Sequence, residues 1–271
     1  MIGPVLLVGC GNMGGAMLDG WLGRGMDPVN VTVVEPFQTN ANLAREKGIT
    51  VVSSLADMSS EVPPAIVVFA VKPQQMVEVL PSYACFSKDA VYFSVAAGIP
   101  IAAFEINLGA DAAIIRIMPN TPAQVLRGIS VAFANSNVNT VQRAACHSML
   151  EAIGEVGWIE DESLMDAVTA TSGSGPAYVF LMIECLAKAG IEAGLPEDLA
   201  LQLAQTTVSG SGELARQSGL DAATLRRNVT SPGGTTAAAL ELLMADNGLQ
   251  SLMSRAVKAA RNRSQKLAVG G

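Results

Sequence analysis

The chain has 271 residues, of which 50% are hydrophobic, 15% charged and 4% aromatic, a composition that can bury a core and excludes disorder. A net charge of −7 and a pI near 4.8 give it no electrostatic reason to seek nucleic acid or anionic lipid. The mean hydropathy of +0.37 raises the question of a membrane, but no clean apolar run of about 18 residues answers it, so the apolar excess belongs inside a globule or between subunits.

In chain order, the stretch from Met1 to Val5 lacks a basic segment and runs directly into a strand-like run, which reads as a cytoplasmic start. Short β-branched runs follow at 5–8, 31–34, 65–71, 91–95, 113–117 and 129–133. Most are apolar on both faces, as buried parallel strands are. Amphipathic segments at 12–23 and 39–47 lie between the first of them. This alternation predicts an α/β fold, a Rossmann-like parallel sheet with right-handed crossovers. The texture changes near 154–158. After one more strand-like stretch at 155–159 the pattern is helical, with helices expected over 176–193 and 197–217. Ser231 and Pro232 read as N-cap and first residue of a further helix. The last helix places Leu249, Leu252, Met253, Ala256, Val257 and Ala260 on one stripe. The reading is therefore a dinucleotide-binding domain over 1–155 and an all-helical substrate-binding and dimerisation domain over 156–271.

The run Gly9-Cys10-Gly11-Asn12-Met13-Gly14 follows the first strand and opens a helix. Gly9 permits the tight turn, Gly11 lets a pyrophosphate approach the backbone, and Gly14 lets the helix pack on the sheet. The pattern alone is a weak signal, but here it has the strand–loop–helix context that gives it meaning. Glu35 ends the second strand, where an acid accepts hydrogen bonds from a ribose diol and repels a 2′-phosphate. No arginine follows it closely, the next being Arg45. On these residues NADH is favoured over NADPH.

The conventional acid–base and nucleophile patterns are missing. The single histidine, His147, falls in a helical segment outside every motif and reads as a surface residue. No serine sits in a GxSxG elbow, and the four cysteines have no CxxC spacing, which argues against a disulfide framework or zinc site. The chemistry should need a hydride and positioning but little proton machinery. Reduction of a C=N bond fits, because a protonated imine is already an electrophile. Two further runs, Thr171-Ser172-Gly173-Ser174-Gly175-Pro176-Ala177-Tyr178 and Asn228-Val229-Thr230-Ser231-Pro232-Gly233-Gly234-Thr235-Thr236, read as hydroxyl-rich helix starts. Each exposes backbone N–H groups suited to a small carboxylate, and each also reads as an ordinary cap. Thr235 and Thr236 could add hydroxyl donors.

These residues resemble the pyrroline-5-carboxylate reductase family over nearly the whole chain. The resemblance rests on the glycine loop, Ala70-Val71-Lys72-Pro73, Ser94-Val95-Ala96-Ala97-Gly98-Ile99, Arg116-Ile117-Met118-Pro119-Asn120-Thr121-Pro122, and the two helix-start runs. It implies reduction of L-1-pyrroline-5-carboxylate to L-proline with NAD(P)H, the last step of proline biosynthesis. It implies that Gly9, Cys10, Gly11, Asn12, Met13, Ala70, Val71, Lys72, Pro73, Val95, Ala96, Ala97 and Asn228 line the cofactor. Thr235 and Thr236 would hold the substrate carboxylate and ring nitrogen, with Thr236 the residue nearest the chemistry. Glu162 would lie near the substrate, and the backbone of Ser174, Gly175 and Pro176 would help bind the carboxylate. Lys72 has a second reading as a catalytic lysine, which its place in the post-strand loop disfavours. The family also implies a homodimer, often built into a decamer. Glu35 stands where many members carry a small hydroxyl residue, which puts their NADPH preference in doubt here.

Two other readings compete with this one. A β-hydroxyacid dehydrogenase shares the two-domain plan but needs a helical-domain lysine, and Lys188 lies more than three turns beyond its helix start. A non-catalytic dinucleotide sensor has no need of the Thr235-Thr236 pair.

Overall fold

The computed structural model describes residues 3–58 and 62–269. Met1 and Ile2, part of the start read from the sequence, lie outside the described residues. The chain divides into two compact units, Met1–Gly173 with Ala260–Gly271, and Ser174–Ala259.

The first unit opens with β1 (Val5–Val8), α1 (Asn12–Gly23), β2 (Val31–Val34), α2 (Gln38–Arg45), β3 (Thr50–Val52) and β4 (Ile66–Phe69). It continues with α3 (Pro73–Val79), β5 (Val91–Ser94), α4 (Ile101–Leu108), β6 (Ala113–Met118), β7 (Gly128–Ala134), α5 (Thr140–Glu151) and β8 (Gly154–Trp158). The strands form one sheet in the order β3-β2-β1-β4-β5-β6-β7-β8. Because successive side chains point to opposite faces, the apolar strands feed two cores. Leu7, Val33, Val68, Phe93 and Ile115 pack with Met17 and Trp21 of α1 and with Met149 and Leu150 of α5. Leu6, Val67, Phe69, Tyr92 and Ile114 pack with Met76 of α3 and Phe104 of α4. Each fully buried aliphatic side chain contributes roughly 1.5–3 kcal/mol, so strands apolar on both faces hold the sheet from both sides. The Trp21 indole N–H donates to the Met149 carbonyl at 3.1 Å, which ties α1 to α5 with no buried donor left over.

Three features differ from the sequence reading. β3 was not expected; its Thr50-Val51-Val52 is too short to stand out, and it is held by parallel pairing to β2. β7 runs antiparallel to β6. The link between them is too short for a crossover, which takes a dozen or more residues, and it turns through Leu126 in the left-handed region at φ 59°. The boundary near 155 also moves. β8 pairs in parallel with β7, and the first unit continues through α6 (Met165–Val168) and a π-helical turn over Thr169–Gly173. The C-terminal end of the last helix returns to this unit, where the buried Ser264 hydroxyl donates to Asp166 at 2.6 Å.

The second unit carries α7 (Gly175–Glu192), α8 (Glu197–Ser218), α9 (Ala222–Asn228), α10 (Thr235–Leu243) and most of α11 (Leu249–Val269). α7 and α8 meet through small residues, with Ala187, Ala200 and Ala204 buried. α10 begins four residues after the expected N-cap, Ser231. Gly233 adopts φ 67°, and the Gly234 N–H donates to the Ser231 carbonyl, so a turn replaces the expected first helical turn. Among the described residues, no helix is long and apolar enough to cross a membrane.

Candidate active site

Parallel register puts the ends of four strands level. Val8 pairs with Val34 and with Phe69, and Phe69 pairs with Ser94. The loops that follow them, beginning at Gly9, Glu35, Ala70 and Val95, therefore emerge along one edge of the sheet. Strand order reverses between β1 and β4, the switch point where a doubly wound sheet binds a dinucleotide. The structure thus brings together Gly9, Cys10, Gly11, Asn12, Met13, Gly14, Glu35, Ala70, Val71, Lys72, Pro73, Val95, Ala96 and Ala97 in the first unit.

The glycine loop has the shape its spacing predicts. Gly9 turns at φ 88°, and a Cβ there would come within 2.9 Å of Val71. A Cβ on Gly14 would lie 2.3 Å from the Gly9 carbonyl oxygen, so helix and loop are in backbone contact. A Cβ on Gly11 would meet nothing within 4 Å. Gly11 caps α1 without a side-chain hydrogen bond, so the first N–H groups of α1 face open space at the positive end of the helix dipole. A cavity of about 290 Å³ runs from the loop down between α1 and α2, lined by Cys10, Gly11, Asn12, Asp19, Leu43 and Lys47 among others. The residues present fit a dinucleotide pyrophosphate. A larger cavity, about 600 Å³, lies between α1 and α5 and contains none of the residues singled out from the sequence.

Glu35 is buried, with 4% of its surface exposed. Its Oε2 accepts from the Cys10 N–H at 2.8 Å and from the Asn40 amide at 3.4 Å, and its Oε1 accepts from the Phe37 N–H at 2.9 Å. The acid therefore braces the glycine loop from the end of β2. Its charge and, more strongly, burial push the Cys10 thiol up to about 11. Lys47 and Asp19 both line this cavity and pair with each other, a basic residue beyond Arg45 that the sequence reading gave no role.

The β6 strand supplies contacts that the sequence reading assigned no role. Arg116 and Met118 lie two apart on β6, and Asn120 follows the strand. The Arg116 guanidinium donates to Glu162 Oε1 at 2.8 Å. The Asn120 amide donates to the Ser172 hydroxyl at 3.2 Å, while its carbonyl accepts from the Ile129 N–H. Gly173 lies against Met118, where a Cβ would fall 2.3 Å from the methionine methyl. A charged residue within the buried run Ala113–Met118 was the available signal, since a buried charge demands a partner. Lys72 is exposed and N-caps α3. His147 accepts from the Trp158 indole at 3.2 Å and sits 3.5 Å from Glu151, so it belongs to the packing of α5 on β8.

In the second unit, Thr235 and Thr236 are the first two residues of α10, and Gly234 caps that helix with no side-chain hydrogen bond. Asn228 is exposed at the end of α9. The expected helix start at Gly175 and Pro176 is present, with Pro176 in the first turn of α7. The π-helical turn precedes it and Ser174 itself is helical, at φ −85° and ψ −20°.

Family comparisons agree with this geometry. Residues 162–267 match the model described as pyrroline-5-carboxylate reductase dimerisation, and residues 4–98 match NADP oxidoreductase, coenzyme F420-dependent. The chain is 38% identical to the pyrroline-5-carboxylate reductase of Pseudomonas aeruginosa, covering 97% of this chain and 96% of the relative. It superposes on the solved pyrroline-5-carboxylate reductase of Coxiella burnetii with a TM-score of 0.92 at 32% identity, covering 99% of both chains. The Plasmodium falciparum pyrroline carboxylate reductase, solved with NADP bound, matches with a TM-score of 0.83 at 30% identity, covering 98% of both chains. With full-length identity at this level, the chain belongs to the pyrroline-5-carboxylate reductase family.

Proposed function

We propose that the chain reduces L-1-pyrroline-5-carboxylate to L-proline with NADH or NADPH, in the cytoplasm, as a homodimer that can assemble into a decamer. One observation carries this reading: a glycine-loop helix start at the switch point of the sheet occurs in a chain whose α10 opens, with no side-chain cap, on two adjacent threonines. Bound NAD(P)H supplies the hydride, from nicotinamide C4 to the imine carbon. Gly9, Cys10, Gly11, Asn12, Met13 and Gly14 would hold the pyrophosphate. Ala70, Val71, Lys72, Pro73, Val95, Ala96, Ala97 and Asn228 would line the rest of the cofactor. Thr235 and the first N–H groups of α10 hold the substrate carboxylate, helped by the backbone of Ser174, Gly175 and Pro176. The Thr236 hydroxyl bonds the ring nitrogen and fixes the face presented to the hydride. Glu162 would lie near the substrate, its charge paired with Arg116. Orientation is the larger part of the catalysis, because the protonated imine needs no further activation.

Glu35 favours NADH, since a carboxylate at the ribose repels a 2′-phosphate. Thr236→Ala should lower kcat/KM for the pyrroline by about tenfold or more, the scale of a hydrogen bond to a charged group, with cofactor affinity unchanged. Steady-state kinetics identical to wild type would remove Thr236 from this role.

A further inference from the structure

The loop that follows β5 is fastened at both ends. At its start, the buried Ser94 hydroxyl accepts from the Ala96 N–H at 3.3 Å. It then turns through Gly98 at φ 77° and enters α4 at Ile101. Pro100 caps α4 and offers no side-chain acceptor, so the Ile101 N–H is one of the orphan donors of a helix start. Glu162, distant in sequence, takes it: Glu162 Oε1 accepts from the Ile101 N–H at 2.9 Å. The same oxygen accepts from Arg116 at 2.8 Å. Arg116 is opposite Ser94 in the β5–β6 register, and its side chain is only 7% exposed, against 27% for Glu162. A buried guanidinium with a carboxylate partner resists displacement, because moving either group strands a charge.

We infer that Arg116 and Glu162 are positioning residues that set the height of the 95–97 loop for the nicotinamide half of the cofactor. The acid-bearing β2 marks the adenosine side of the switch point, so the loops after β4 and β5 serve the other half. Besides the Val95 N–H, which donates to the Phe69 carbonyl at 3.1 Å, Ser94 and the Arg116–Glu162 pair are the side-chain fasteners of that loop among the described residues, and only the second is charged. Both bonds to Glu162 fall on Oε1. Oε2 has no partner among the described residues, so the positioning role is compatible with a substrate contact. This inference rests on the reductase reading above.

The test compares two ligands on the full-length protein. NADH carries the nicotinamide, whereas ADP-ribose carries only the adenosine and pyrophosphate parts. Arg116→Met and Glu162→Ala should weaken NADH binding by about tenfold, the scale of a misplaced contact, while ADP-ribose affinity stays within about twofold of wild type. Arg116→Lys and Glu162→Gln, which keep one hydrogen bond, should recover part of the loss. Equal weakening of both ligands, or no change in either, overturns the inference, since a merely structural pair would lower thermal stability without altering their ratio. If Arg116→Met does not fold, Glu162→Ala decides the matter by the same ratio. A wild-type protein that binds NADH but does not reduce pyrroline-5-carboxylate overturns the reductase reading and leaves this ratio interpretable.

Discussion

A carboxylate that accepts two backbone N–H groups holds its loop and its ligand with the same charge. Glu35 is in that position, with Cys10 and Phe37 as donors. Glu35→Ser removes the repulsion toward a 2′-phosphate and also one brace of the glycine loop. The kcat/KM ratio of NADPH to NADH should therefore rise by about tenfold or more, as relief of a like-charge contact allows, with part of the change coming from poorer use of NADH. An unchanged ratio would show that Glu35 does not select the cofactor. Cys10 gives a second residue-scale expectation. Its thiol is raised to about 11 in the folded protein, first by burial and then by Glu35. A raised folded value means the unfolded chain releases its proton first. Stability contributed here is thus complete below about pH 9 and lost as pH climbs toward 11. Alkylation at pH 8 should label the exposed Cys85 and spare Cys10 and the buried Cys146; rapid labelling of native Cys10 would refute the packing described. The position of Glu35 was legible, because spacing from the glycine loop marks it. Its donors were not, because a backbone N–H has no sequence signature. Arg116 was half legible: a charge inside an apolar strand announces a partner without naming it.

At the scale of elements, the first helix is the most constrained. Its start must touch the loop that precedes it, with Gly14 against the Gly9 carbonyl. Gly14→Ala should destabilise the fold by about 1–3 kcal/mol, the usual range for overpacking, and weaken dinucleotide binding together with the lower melting temperature. Wild-type melting and wild-type NADH titration would contradict that contact. Most strands were legible from their apolar runs, and α1 emerged with the limits its pattern gives. What the pattern could not provide was direction. Ile129 to Phe133 reads as a buried strand whether its neighbour is parallel or antiparallel, and only the short link before it decides. The π-helical turn at Thr169–Gly173 was also hidden, since small hydroxyl residues suit a cap, a hinge or a widened helix equally well.

At the scale of the molecule, the second unit leaves apolar surface that one copy does not cover. Phe180 and Leu181 of α7 are 58% and 57% exposed in a single chain. Such surface belongs in an interface, in keeping with the dimerisation model that covers residues 162–267. The combined substitution Phe180→Glu and Leu181→Glu should shift light-scattering mass toward the monomer, and a wild-type chain that is monomeric at micromolar concentration would contradict the expectation. The two-unit plan was legible from the change in texture. The exact division was not, because β8 and the end of α11 join the sheet unit through pairing and packing rather than through composition. The most direct test is steady-state reduction of L-1-pyrroline-5-carboxylate by the purified wild-type chain, with NADH and NADPH side by side. The account predicts proline formation with both and a higher kcat/KM with NADH. Tight dinucleotide binding without proline formation would contradict it.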